Sequence, residues 1–169
     1  MPRFKKTPLH RHEALAPFSR DHYTGLVQSQ HLIKAAALNA AARRKAVADF
    51  VDAWDHDIAE HFRDEERLLI PFMTDIDRAA LLGQHRQLSR DAENLRTLRR
   101  STDPDPDTLA EVGRRLAEHI RWEERELFAR LQEQLNPGQI DDLQKQTAVV
   151  ESARPRMVHQ NHKQERTVP

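Results

Sequence analysis

Along this chain apolar side chains recur at steps of three and four residues, the period of one helix face rather than the alternation of a strand. Four long segments carry the pattern. Pro17 followed by Ser19 and Asp21 reads as a helix start with Ser19 as N-cap, and a first helix then extends to about residue 41 with Leu15, Phe18, His22, Leu26 and Ile33 on one side. A second spans about residues 46–70 and stops before Pro71, its stripe running Phe50, Trp54, Ile58, His61, Glu65, Leu68 or Leu69. Thr74-Asp75 starts a third, with Leu81, Leu82, His85, Leu88, Ala92, Leu95 and Leu98 on one side and Gly83 marking a break or bend. The run Ser101 to Asp107, with Pro104 and Pro106, is a loop. A fourth helix covers about residues 107–135, with Leu109, Val112, Leu116, His119, Glu123, Leu127, Leu131 and Leu135, and ends at Asn136-Pro137-Gly138. Short connections between long amphipathic helices predict an all-α protein, an antiparallel up-down four-helix bundle. In this reading residues 1–14 are a basic arm, 15–135 the bundle, 136–151 a short C-terminal helix, and 152–169 a polar, flexible tail.

What breaks the apolar stripes is more informative than the stripes. His61-Phe62-Arg63-Asp64-Glu65 and His119-Ile120-Arg121-Trp122-Glu123 repeat one pattern, His-x-x-x-Glu, which sets an imidazole and a carboxylate one helical turn apart on the same face. His61 and Glu65 fall between Ile58 and Leu69; His119 and Glu123 fall between Leu116 and Leu127. A carboxylate buried there without a partner is costly, and a metal ion held between the helices removes the cost. His22 and His85 interrupt the other two stripes. Every long helix therefore contributes an imidazole and two add a carboxylate: His22, His61, Glu65, His85, His119 and Glu123. Four His and two Glu meeting inside one bundle form a dinuclear metal set in which both carboxylates bridge. Imidazole with carboxylate suits iron, manganese or zinc better than calcium or magnesium. A six-coordinate ion in such a site keeps a position for a small ligand such as dioxygen or nitric oxide. One His-x-x-x-Glu alone is a weak signal, since His-Glu pairs at this spacing also occur on helix surfaces; two on buried stripes, with a His on each remaining helix, are specific.

Composition narrows the alternatives. The 169 residues carry 27 basic and 27 acidic side chains, so no basic excess points to nucleic acid. Aromatics are 5% and only four residues are Gly, which suits helices over sheets. No apolar run approaches the roughly 20 residues that span a bilayer, and no apolar stretch follows the basic start Arg3-Phe4-Lys5-Lys6, so neither a membrane nor secretion is expected. With no cysteine there are no disulfides, thiolate metal sites or cysteine nucleophiles, as suits a cytoplasmic protein, and any metal rests on nitrogen and oxygen donors.

Ser19-Arg20-Asp21-His22, the block His61 to Glu66 with Leu69 and Pro71 after it, the isolated His85, and His119 to Glu124 with Leu127-Phe128 resemble the hemerythrin-like HHE cation-binding domains of bacteria. The resemblance covers roughly residues 10–135 and implies a non-haem diiron centre, two Fe ions, with ligation at the same six positions. Oxygen-carrying hemerythrins have a second His one turn after the third-helix His, where this chain has Ser89. They also have an aspartate five residues after the fourth-helix His, where this chain offers Glu123 at four and Glu124 at five. The set is closer to the four-His, two-Glu variant of iron-centre repair proteins, which usually carry a Cys-containing amino-terminal domain.

The expected function is binding of O2 or NO for sensing, storage or scavenging. Iron-centre repair or donation, and turnover of nitric oxide or peroxide, are the alternatives. Ferritin-like iron oxidation is less favoured, because those bundles use Glu-x-x-His. Other polar residues have plainer readings. Asp64, Glu66 and Glu124 are expected to face solvent, with a hydrogen bond accepted from a ligating imidazole as the alternative. His31 and His56 fall off the stripes, and His10 and His12 belong to the arm. His159 and His162 belong to the tail. Tyr23, Trp54 and Trp122 are assigned to packing.

Overall fold

The computed structural model describes residues 11–153, and among them every regular element is helical. In chain order these are α1 (Ala16–Ala36), α2 (Ala40–Ala53), a π-helical turn (Trp54–Ile58), α3 (Ala59–Leu68), a 3₁₀ turn (Ile70–Phe72), α4 (Asp75–Leu98), α5 (Pro106–Trp122), a second π-helical turn (Glu123–Leu127), α6 (Phe128–Gln134) and α7 (Pro137–Ala153). His10, His159, His162 and most of the arm and tail lie outside the described residues.

Local chemistry sets most boundaries. Asn39, Thr74 and Asp105 each accept a hydrogen bond from the backbone N–H three residues on, at 3.0, 3.1 and 2.8 Å, and so cap α2, α4 and α5; such caps stabilise a helix start by about 1 kcal/mol. Pro71 confines α3 and tightens the chain into the 3₁₀ turn. Three expected boundaries need correction. The first helix begins at Ala16 with Ser19 inside it, so Ser19 is not its cap. It ends at Ala36 rather than near residue 41, and Asn39, a good N-cap, restarts the chain as α2. Gly83 causes no break, since α4 runs through it.

The core divides into two apolar clusters. One holds Leu32, Val47, Phe50, Leu88, Leu95, Leu109 and Leu116; the other holds Leu15, Phe18, Leu69, Leu81, Phe128, Leu131 and Leu143. α1 passes from the second cluster to the first, α2–α3 returns, α4 crosses again and α5–α6 returns. α7 lays Leu143 on the second cluster and fixes itself through Thr147 Oγ1, which donates to the Ala14 carbonyl at 3.2 Å.

α1 and α5 pack along one another, and small residues make the close approach possible. A Cβ on Gly113 would lie 2.6 Å from the Ser29 carbonyl oxygen, and one on Gly25 would lie 2.8 Å from Ile120 Cδ1. The buried face of α1 is therefore Phe18, His22, Gly25, Ser29 and Leu32, whereas Leu26 and Tyr23, expected inside or in packing, are exposed. Trp54 packs as expected, against Phe50 and Phe62, and Trp122 sits half-buried at the edge of the second cluster.

Candidate metal centre

Between the two apolar clusters lies a layer of buried polar side chains. His22 comes from α1, His61 and Glu65 from α3, His85 from α4, His119 from the end of α5, and Glu123 from the start of the second π turn. None is more than 6% exposed, and both carboxylates are fully buried. All six sequence-predicted site residues are thus brought together.

The Nε2 atoms point inward at the carboxylates. His61 Nε2 lies 3.1 Å from Glu65 Oε1, and His119 Nε2 lies 3.3 Å from Glu123 Oε2. His22 Nε2 lies 3.0 Å from Glu123 Oε2 and 3.6 Å from Glu65 Oε1; His85 Nε2 lies 3.4 Å from Glu65 Oε2 and 3.8 Å from Glu123 Oε1. Donor atoms of His22, His61, Glu65 and Glu123 lie within 4.8 Å of one another, as do those of Glu65, His85, His119 and Glu123. Both quartets share both carboxylates.

These atoms are buried yet unsatisfied. The Nε2 of each His and both oxygens of Glu65 and Glu123 have no hydrogen-bond partner. Buried polar atoms are ordinarily paired, and eight orphans converging in one layer are what a cation would satisfy. The donor set of imidazole and carboxylate fits a transition-metal cation.

Outside this layer the imidazoles are held by their other nitrogen. His22 Nδ1–H donates to Glu124 Oε1 at 2.7 Å, His85 Nδ1–H to Glu66 Oε1 at 2.8 Å, and His119 Nδ1–H to Gln84 Oε1 at 2.9 Å. Phe62 stacks on His85 with ring centroids 3.9 Å apart, and Phe128 lies near-parallel to His22 at 5.6 Å. Arg11 reaches from the N-terminal segment to Glu124 Oε2 and to the Glu124 carbonyl, both at 2.6 Å.

The expectation that Glu66 and Glu124 face solvent is therefore corrected. Each borders solvent on one side but directs an oxygen at an imidazole, which fixes the ring tautomer and orientation. Asp64 is also buried, with Arg67 at 2.7 Å, rather than solvent-facing. His31 and His56 are exposed, as expected. Sequence reasoning missed Gln84 and Arg11, which no spacing marks, whereas Glu66 and Glu124 take the imidazole-bonding role that was their alternative reading.

The charges are mutually adjusted. Burial pushes the imidazoles down, but the carboxylates outweigh it: Glu123, Glu124 and Glu65 raise His22 to about 12, Glu65 and Asp21 raise His61 to about 9, and Glu123 with Glu65 raise His85 to about 10. Desolvation holds His119 below its ordinary value. Burial opposes ionisation of Glu65 and Glu123, and the facing imidazoles nonetheless keep both below the usual carboxylate range.

A family model for the hemerythrin HHE cation binding domain matches residues 20–131, about two thirds of the chain and all six of these positions. The chain belongs to the hemerythrin HHE family. No curated protein and no solved structure matches it. The family is one of cation-binding domains, and the buried His-Glu cluster is a group that could hold a metal. Among the described residues no helix is long and apolar enough to cross a membrane.

Proposed function

We propose that this chain is a non-haem diiron protein that binds a small diatomic ligand, O2 or NO, for sensing, storage or scavenging. The observation that carries the reading is the set of eight unsatisfied donor atoms in two quartets with both carboxylates in common. His22 and His61 would hold one ion and His85 and His119 the other, with Glu65 and Glu123 spanning both. The alternating passage of the long helices between the two apolar clusters supports an antiparallel four-helix bundle as the frame. Iron bound there would supply reversible redox chemistry and affinity for a diatomic ligand. The chain's own residues supply orientation through Glu66, Glu124 and Gln84, and Phe62 and Phe128 pack against the His85 and His22 rings.

Metal analysis of purified protein, followed by stopped-flow mixing of the reduced form with O2 and with NO, tests this. A pair of irons per chain and a reversible adduct are expected. A single zinc with no spectral response to either gas rejects the assignment. Irreversible oxidation with loss of iron would favour the second reading, iron donation or nitric oxide and peroxide turnover.

A further inference from the structure

A cleft of about 690 Å3 opens between α1 and the first π turn and reaches inward to His22 and His61. It is far larger than a diatomic molecule requires, and it falls within the roughly 300–1,000 Å3 range of sites that take small organic ligands. Its walls are apolar: Gly25, Ala53, Ile58, Phe62, Leu116 and Ile120. Its polar lining combines four carboxylates, from Asp21, Asp52, Asp57 and Glu60, with Thr24 and the imidazoles of His22, His56 and His61, and among the described residues no Lys or Arg lines it. Asp52 is paired with Arg99 at 3.1 Å, but Asp57 and Glu60 have no ion-pair partner among the described residues.

The inner end carries a second observation. His22, His85 and His119 each have a hydrogen-bonded Nδ1, whereas His61 Nδ1 makes no hydrogen bond although the residue is only 6% exposed. That nitrogen is turned toward Asp21, another wall residue, whose nearest oxygen at 3.6 Å is beyond hydrogen-bonding distance. Of the four imidazoles, this is the one whose outer nitrogen faces a carboxylate without a hydrogen bond.

We propose that the cleft is a binding site for a small organic cation, an amine with an apolar body, seated beside the His22–His61 half of the centre. The apolar walls take the body, the carboxylates of Asp57 and Glu60 favour the positive charge, and a polar atom of the ligand reaches His61 Nδ1. The inference rests on the cleft and its lining, not on which ion the centre holds or on binding of a diatomic.

Three probes of one shape and different charge test it: hexylammonium, hexanol and hexanoate, titrated calorimetrically into the metal-loaded full chain. Hexylammonium is expected to bind roughly tenfold tighter than hexanol, and hexanoate more weakly than either, as carboxylates near a low-dielectric wall dictate. The double substitution Asp57→Asn, Glu60→Gln should bring hexylammonium down to the hexanol affinity with metal content unchanged. Ala53→Phe should abolish binding of all three, and Thr24→Trp, on the outer wall, serves if Ala53→Phe does not fold. Equal affinities for the three probes, no binding of hexylammonium, or binding that survives the blocking substitution overturns the proposal. Metal content and gas binding are read separately, so failure here leaves the diiron reading standing and the reverse also holds.

Discussion

His22 Nδ1 and Glu124 Oε1 are 2.7 Å apart, and the same pairing recurs between His85 and Glu66 at 2.8 Å. In each His-x-x-x-Glu-Glu block the first Glu faces the centre, and the second reaches across to the lone His of another helix. Neighbouring side chains on a helix differ by about 100° in direction, so one Glu faces inward while the next borders the seam with the adjacent helix. The doubled acid thus joins the two halves of the site. Replacing Glu66 or Glu124 by Ala should weaken metal binding roughly 10- to 100-fold, the range found for partners of ligating imidazoles. Chelator competition measures this, with the exposed Arg63→Ala as the control that leaves affinity unchanged. Arg11→Ala should weaken binding less, since it acts on Glu124 and not on an imidazole.

Glu65 and Glu123 carry the larger consequence. Each has both oxygens in the buried layer, and each belongs to both quartets. Substituting either by Ala removes donors from both quartets at once. Metal content should fall by more than half in either variant, while His119→Ala should spare the His22–His61 position. Elemental analysis after gel filtration distinguishes these outcomes. Equal, partial loss in all three variants would show that the two positions do not share ligands.

The centre was legible because its chemistry contradicts its surroundings. An imidazole or carboxylate in an apolar stripe is visible at any helical register, so His22, His61, Glu65, His85, His119 and Glu123 stood out despite errors in the helix limits. The α1 face was misread for the opposite reason. Its buried positions Gly25 and Ser29 are small, so the pattern passed to Leu26, which the structure exposes. The two π turns, Trp54–Ile58 and Glu123–Leu127, also left no trace. Each adds one residue to a helical turn without Pro or Gly, and only packing selects them; such turns concentrate at functional sites, and here the first ends shortly before His61 and the second begins at Glu123. Orientation by Glu66 and Glu124 depends on contacts between helices, which a single-helix projection does not contain.

Stability without metal should depend on pH in a specific direction. His61, His85 and His22 are raised in the folded chain to about 9, 10 and 12 from an ordinary 6.5. Within that interval the folded state binds more protons than the unfolded state. Their contribution is thus fully present below pH 6.5 and is lost as pH rises through the folded values. Metal-free protein should melt at progressively lower temperature from neutral pH upward. Metal-loaded protein should be less affected over the same range, because ligation requires neutral imidazoles and displaces those protons. Calorimetry of both forms across the alkaline range checks this, and parallel curves would remove the carboxylate–imidazolium account of the metal-free layer.

The approach of α1 to α5 governs whether His22 can meet Glu123 at all. Gly113 has no room for a methyl group, because the Ser29 carbonyl oxygen would lie 2.6 Å from it and Ile33 Cγ1 2.8 Å from it. The first of these is backbone and cannot rotate away, so Gly113→Ala must push the two helices apart. Overpacking of this kind costs about 1–3 kcal/mol, which offsets any gain in helix propensity from Ala. Gly25→Ala meets only the flexible end of Ile120 and should cost less. Gly113 lies on α5 six residues before His119, so separation there also lengthens the His22–Glu123 contact. Gly113→Ala is therefore expected to lower both the melting temperature and metal retention, whereas Gly83→Ala, on the open side of α4, should raise stability slightly without changing metal content. Thermal melts paired with metal analysis of the three variants decide whether the glycine on α5 sets the geometry of the centre.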